Sequence, residues 1–260
     1  PPLFRLDGVG FAVADREILR PLSLSLAPGR VHGLIGPNGS GKTTLLKLLA
    51  RQLKPSTGKI RFEDQPLDDW GDRAFARRVA YMPQFTPAAD GMTVRELVAL
   101  GRFPWHGTLG RFGEEDAAMV ERALSRTGLA TFSDRTVDSL SGGERQRGWV
   151  ALMLAQDTRC LLLDEPTSAL DIAHQTEVLG LVRDLAHDNT HDGIAVVVIL
   201  HDINLAMRTC DDLLALRGGD VVAHGEARAI MEPDILAAIY GVRMGVLPHP
   251  SRGEPLAYVL

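Results

Sequence analysis

Hydrophobic and polar positions change rhythm several times along this chain, and each change marks a boundary. Phe4-Arg5-Leu6 and Leu22-Ser23-Leu24-Ser25-Leu26 alternate with period two, so residues 3–35 read as strands, broken by a turn at Pro28-Gly29. A helix is predicted over residues 42 to about 52, after which Pro55-Ser56-Thr57-Gly58 turns into another short strand. Val79-Ala80-Tyr81-Met82-Pro83-Gln84 reads as a strand ending in a loop. From residue 93 to about 156 the apolar spacing becomes helical: Thr93-Val94-Arg95-Glu96 has capping-box form, and Glu114–Arg126 is amphipathic. Unbroken apolar runs return at Cys160–Leu163 and at 194–200, separated by a helix over about 172–187. Strands apolar on both sides, alternating with helices, predict an α/β core whose parallel sheet is covered on both faces. The helical stretch, about 86–158, then reads as an insertion within one domain spanning 3–245. Residues 246–260 are expected to form a short tail packed on the core. Neither an internal repeat nor a low-complexity segment interrupts the pattern.

Composition narrows the possibilities. A chain of 260 residues, 45% of them hydrophobic, can bury the core of one domain with an insertion. Its 28 basic and 33 acidic residues give a net charge of −5, against a nucleic-acid binder that works by phosphate neutralisation. Two cysteines are too few for a disulfide framework, and Cys160 reads as a buried thiol suited to a reducing compartment. The longest apolar run is too short to span a bilayer, and Pro1-Pro2 opens without a basic region or signal core. A soluble chain is expected, reaching a membrane only through a partner.

The candidate chemistry lies in two glycine motifs about a hundred residues apart. Gly36-Pro37-Asn38-Gly39-Ser40-Gly41-Lys42-Thr43 fits the phosphate-cradling P-loop pattern. Its glycines let backbone N–H groups turn inward, and the helix that follows adds its positive dipole end. Lys42 is expected on the β- and γ-phosphates and the Thr43 hydroxyl on Mg²⁺, with Thr44 next in the binding run. Asp164 and Glu165 follow an apolar strand, which delivers them to the sheet edge where open α/β folds bind ligands. Asp164 is the expected Mg²⁺ partner and Glu165 the base that polarises water. Leu140-Ser141-Gly142-Gly143-Glu144 opens another helix, with Ser141 as N-cap and Glu144 completing a capping box. Capping explains Ser141 and Glu144; Gly142 and Gly143 add room for a phosphate to approach closely. One phosphate needs one cradle, so this second motif is expected to close over a nucleotide held by another copy of the chain.

These motifs and their order resemble the ATP-binding cassette (ABC) family over nearly the whole chain. The resemblance implies a P-loop α/β nucleotide-binding domain with an N-terminal antiparallel β region and an inserted helical subdomain. It also implies ATP as substrate, Mg²⁺, and a head-to-tail homodimer. Gln84 then corresponds to the glutamine that senses Mg²⁺ and the attacking water, His201 to a γ-phosphate contact, and Asp171 joins the nucleotide-binding set. The aromatic that stacks on adenine in the family is missing: Val13 occupies its place, with Phe11 two residues away on the same strand face. Either may serve. Histidines such as His187 and His191, beside acidic residues, read as solvated surface.

The segment from Met92 to Gly107 resembles the iron-siderophore, haem and cobalamin importer branch. The run Leu109-Gly110-Arg111-Phe112-Gly113, the stretch Asp171-Ile172-Ala173-His174-Gln175 and the tail from Ile239 to Pro250 resemble its ferric-hydroxamate subgroup in Gram-negative bacteria. That implies a peripheral subunit on the cytoplasmic face of the inner membrane, paired beneath a permease and served indirectly by a periplasmic binding protein. A haem, cobalamin or other iron-chelate importer, a permease-independent cytosolic cassette and a permease-coupled exporter subunit remain alternatives. Arg102-Phe103-Pro104-Trp105-His106-Gly107 reads either as a docking surface for the permease or as a plug packing the insertion's own helices.

Overall fold

The computed structural model describes residues 1–106, 110–188 and 193–260; Gly107, Leu109 and His191 lie outside them. The alternating N-terminal segments form β1 (Phe4–Val13) and β2 (Arg16–Leu26), antiparallel, with β4 (Thr57–Phe62) and β5 (Gln65–Pro66) completing a sheet ordered β2-β1-β4-β5. The second sheet has six strands in the order β10-β9-β3-β8-β7-β6. They are β3 (Val31–Ile35), β6 (Val79–Met82), β7 (Cys160–Leu163), β8 (Ala195–Ile199), β9 (Asp212–Arg217) and β10 (Asp220–Glu226). All neighbours are parallel except the β9–β10 edge hairpin.

Why the central strands read as unbroken apolar runs is visible in the packing. Leu34, Leu162, Val197, Ile199 and Leu214 face α1 (Lys42–Leu49) and the antiparallel sheet. Ile35, Leu161, Leu163, Val196, Val198 and Ala215 face the other way, into a cluster shared with the helices. Each strand therefore buries both faces, as parallel strands do.

Helix α1 ends at Leu49, three residues short of the predicted end. Arg51 there takes a left-handed φ of 57°, which stops the helix. After α2 (Asp72–Ala76) come α3 (Val94–Ala99), α4 (Phe103–His106), α5 (Glu114–Arg126) and α6 (Gly142–Ala155). The Thr93–Glu96 capping box forms with both of its hydrogen bonds. Helix α7 (Ile172–Ala186), which connects β7 to β8, packs on β3 and β8. Beyond His201, α8 (Ile203–Thr209), β9, β10, α9 (Ala227–Ile230) and α10 (Pro233–Tyr240) complete the fold. The end of the chain is a hairpin, β11 (Met244–Pro248) against β12 (Pro255–Val259). Met244 and Ala257 bury into the helical core, and Asn204 exchanges two hydrogen bonds with the backbone of Ala257.

Among the described residues no helix is long and apolar enough to cross a membrane. Cys160 and Cys210 are both free and buried, and burial pushes both thiols far up.

Candidate nucleotide site

The strands deliver the site residues to one edge of the sheet. Residue 36 follows β3, Gln84 follows β6, Asp164 and Glu165 follow β7, and His201 follows β8. Because β3, β8, β7 and β6 run parallel, these four turns share the carboxyl edge, where ligands bind in open α/β sheets.

The cradle has the backbone that its glycines permit. Gly36, Gly39 and Gly41 adopt φ of 133°, 75° and 102°. A Cβ on Gly36 would lie 1.9 Å from the Leu216 carbonyl oxygen, so no other residue fits. Lys42 is buried and donates from Nζ to the carbonyls of Gly36 and Pro37, both at 2.8 Å. Burial lowers its pKa, offset by the charges of Glu165 and Asp164. Ser40 Oγ is buried with no hydrogen-bond partner among the described residues. The cradle opens on a cavity of about 250 Å³ lined by Asn38 to Thr44 and by Glu165, Arg16 and Ile18. Sequence reasoning missed the last two: they sit on β2, and only its fold-back brings them to the loop.

The acidic pair divides into two environments. Asp164 is buried at the end of β7; it accepts from Thr43 Oγ1 at 3.3 Å and Tyr81 Oη at 3.5 Å. Burial raises its carboxyl above the ordinary range, and the Glu165 charge adds to this. Tyr81 is pushed up to about 12, by burial first and Asp164 second. Glu165, with φ of 50°, is held on both oxygens: Gln84 Nε2 donates to Oε2 at 2.6 Å, and His201 Nε2 lies 2.6 Å from Oε1. Three residues drawn from β6, β7 and β8 thus meet at one carboxylate. The Asp164 carboxyl and Thr43 hydroxyl beside it are hard oxygen donors, a set that fits Mg²⁺ rather than a soft metal.

The second glycine motif lies elsewhere. Ser141 caps α6: its side chain accepts from Glu144 N at 3.2 Å, and its own N–H donates to Glu144 Oε2 at 2.8 Å. Among the described residues, Ser141, Gly142 and Gly143 are absent from the lining of the cradle cavity. Asp171 caps α7, accepting from His174 N at 2.9 Å. Of the two adenine candidates, Phe11 packs against the core while Val13 is 57% exposed. His187 is not merely solvated: its Nε2 contacts the Asp211 carboxylate at 3.0 and 3.1 Å.

Trp105 proves to be a half-buried anchor of the insertion's own packing. Its indole N–H donates to Gln156 O at 2.9 Å, and the guanidinium groups of Arg77 and Arg102 lie over its ring, 4.7 and 4.8 Å from the centroid. Arg102 is itself 2% exposed, paired with Asp116 at 2.8 Å. The plug reading holds for Trp105, whereas Phe103, 53% exposed, faces outward.

A phosphate cradle at a parallel sheet's edge, with an acidic pair on the adjoining strand, defines a P-loop nucleotide-binding protein. A capped double-glycine turn on a helical insertion narrows the class further. The chain belongs to the ABC transporter family, whose pattern matches residues 19–168. The achromobactin transport ATP-binding protein CbrD of Dickeya dadantii is 42% identical over 94% of this chain and 89% of its own length. The iron(3+)-hydroxamate import ATP-binding protein FhuC of Bacillus subtilis is 38% identical over 96% and 92%. The hemin import ATP-binding protein HmuV of Pseudomonas putida is 41% identical over 98% of each. A structure described as an inward-facing conformation of a metal-chelate type ABC transporter superposes with TM-score 0.85 at 28% identity, covering 100% of this chain and 98% of that one. A nucleotide-free ATP-binding cassette shares the fold, with TM-score 0.80 at 20% identity over 92% and 98%.

Proposed function

We propose that this chain is the ATP-hydrolysing subunit of an iron-chelate importer. Two copies act head to tail beneath a membrane permease, on the cytoplasmic face of the inner membrane. The observation that carries this reading is Glu165, clamped between Gln84 and His201 beside the cradle. It is a carboxylate held where a water attacking a γ-phosphate has to be polarised.

Lys42 exchanges the Gly36 and Pro37 carbonyls for phosphate oxygens when ATP enters, joined by the backbone N–H groups of Gly39 to Thr44. Thr43, Asp164 and Gln84 would hold Mg²⁺, which when bound neutralises charge on the β- and γ-phosphates. Glu165 accepts the water's proton, and His201 steadies both Glu165 and the γ-phosphate. The base rests on Val13, with Arg16 and Ile18 at the cavity wall. Ser141, Gly142, Gly143 and Asp171 complete the site of the partner copy, which fits their absence from the chain's own cavity.

The permease contacts the helical insertion, residues 86–158 of the domain 3–245. Phe85, 83% exposed directly after Gln84, and the exposed Phe103 are the aromatic anchors of that contact. Movement at Gln84 then reaches the insertion through continuous chain. Cargo selectivity resides in the permease and a periplasmic binding protein, since relatives named for achromobactin, hydroxamate and hemin all align at 38–42% identity. Ferric hydroxamate is the cargo proposed here, on the likeness of residues 171–175 and 239–250 to that subgroup. The test is co-purification with the permease, followed by ATP-driven uptake into vesicles of radiolabelled ferric hydroxamate, hemin and cobalamin side by side. Permease-stimulated hydrolysis with hydroxamate uptake is expected. Absence of any co-purifying membrane protein overturns the importer reading, and uptake of hemin alone overturns the cargo.

A further inference from the structure

The double-glycine turn and the Asp171 turn are joined within one copy by a side chain outside the motifs themselves. Gly143 is buried, and a Cβ there would lie 2.3, 2.6 and 2.8 Å from Cδ2, Cγ and Cβ of His174. A backbone need does not explain this glycine, for Gly143 is a helical residue with no positive φ. The imidazole occupies the space. Gly142 faces the same segment, where a Cβ would meet Leu170 Cδ2 at 3.3 Å. On its other side the imidazole holds the Asp171 turn: Nδ1 lies 2.9 Å from Asp171 Oδ1, which also accepts from the His174 N–H. One turn further along each helix, Arg147 pairs with Glu177 at 3.5 Å. The glycine turn, His174 and the Arg147–Glu177 pair form one seam between α6 and α7.

We propose that His174 is a positioning residue that locks the Ser141–Gly143 turn to the Asp171 turn, so that both reach a partner's nucleotide as one unit. The proposal rests on the head-to-tail reading given above. It assigns Gly143 a second duty besides phosphate approach, namely to admit the His174 ring. Independent motion of the two turns would have to be frozen at every closure, whereas a pre-joined pair has lost that freedom in advance.

The test uses the full-length chain with Glu165→Gln for ATP-driven dimerisation and the Glu165-containing chain, with its permease, for turnover. His174→Ala is expected to lower both kcat and ATP-driven dimerisation by about tenfold, the size of coupling expected between contacting groups. Nucleotide affinity of the isolated cradle should stay within about twofold, because the cradle lies on a different part of the fold. His174→Asn, which keeps a polar atom near Asp171 Oδ1, should recover part of the loss. Gly143→Ala and His174→Ala should combine to less than the product of their separate effects on dimerisation, because truncating the ring removes the two tightest contacts of the new methyl, at 2.3 and 2.6 Å, and leaves only the one to the residue 174 Cβ at 2.8 Å. Wild-type dimerisation in His174→Ala overturns the proposal, and so do multiplicative losses in the double variant. Failure of the Glu165→Gln parent to dimerise with ATP would instead sink the head-to-tail reading, independently of His174.

Discussion

Glu165, the proposed base, takes an uncommon backbone position. Its φ of 50° lies in the left-handed region, which costs a non-glycine residue of order 1 kcal/mol or more and persists only where surroundings enforce it. Gln84 and His201 are those surroundings, each at 2.6 Å. Glu165→Gln should lower kcat by about 10²–10⁴, the range for losing a general base, with ATP affinity retained; stopped-flow turnover alongside nucleotide titration checks both. Asp164 differs in kind. Its carboxyl is raised by burial, so the unfolded chain ionises first and folding is penalised as pH climbs past the ordinary value of 3.8. Asp164→Asn should therefore raise the melting temperature of the nucleotide-free protein at pH 7 while abolishing hydrolysis. Both acids were legible because an apolar strand must end where they stand. Arg16, Ile18 and His174 were not, since no local pattern tells which distant strand or helix face meets a loop.

At the level of elements, the insertion is fastened to the core through Trp105. The contacts of Arg77 and Arg102 with the Trp105 ring, the indole bond to Gln156 and the buried Arg102–Asp116 pair link α4, α5 and the end of α6 to the residue after α2. Trp105→Ala should cost about 2–3 kcal/mol, less than the 3–5 of a fully buried tryptophan, because the ring is only half-buried. A drop in melting temperature with normal nucleotide binding is the expected signature, whereas Phe103→Ala should leave melting unchanged and weaken permease stimulation. Two aromatics beside a proline suggested one surface; the sequence could not say that one ring turns in and the other out. His32 on β3 is a second buried device. Its Nε2 lies 3.0 Å from the Ala27 carbonyl oxygen, and burial lowers its pKa below 6.5. The unfolded chain takes up a proton first, so this contribution to stability is full above 6.5 and is lost as pH falls below it. His32→Gln should flatten the decline in melting temperature between pH 7 and 5.5 relative to the parent.

For the molecule as a whole, the antiparallel pairing of the N-terminal strands came from the family resemblance, while the α/β plan and the helical insertion followed from changes of hydrophobic period. The segment beyond His201 did not, because its elements are short and β10 is an edge strand with only weak alternation. Nor does a single chain reveal what its Ser141 turn acts on. In the head-to-tail reading this turn completes a neighbour's site, and cross-linking between copies addresses it directly. Asn38, exposed in the cradle, and Ser141 are each changed to cysteine in separately tagged Glu165→Gln chains, which are mixed and treated with a short bis-thiol reagent. The native Cys160 and Cys210 are buried and should stay silent. A cross-link between the two tags that forms with ATP and Mg²⁺, and is absent with ADP, is the predicted result. Equal cross-linking without nucleotide, or none between chains at saturating ATP, would contradict the split site.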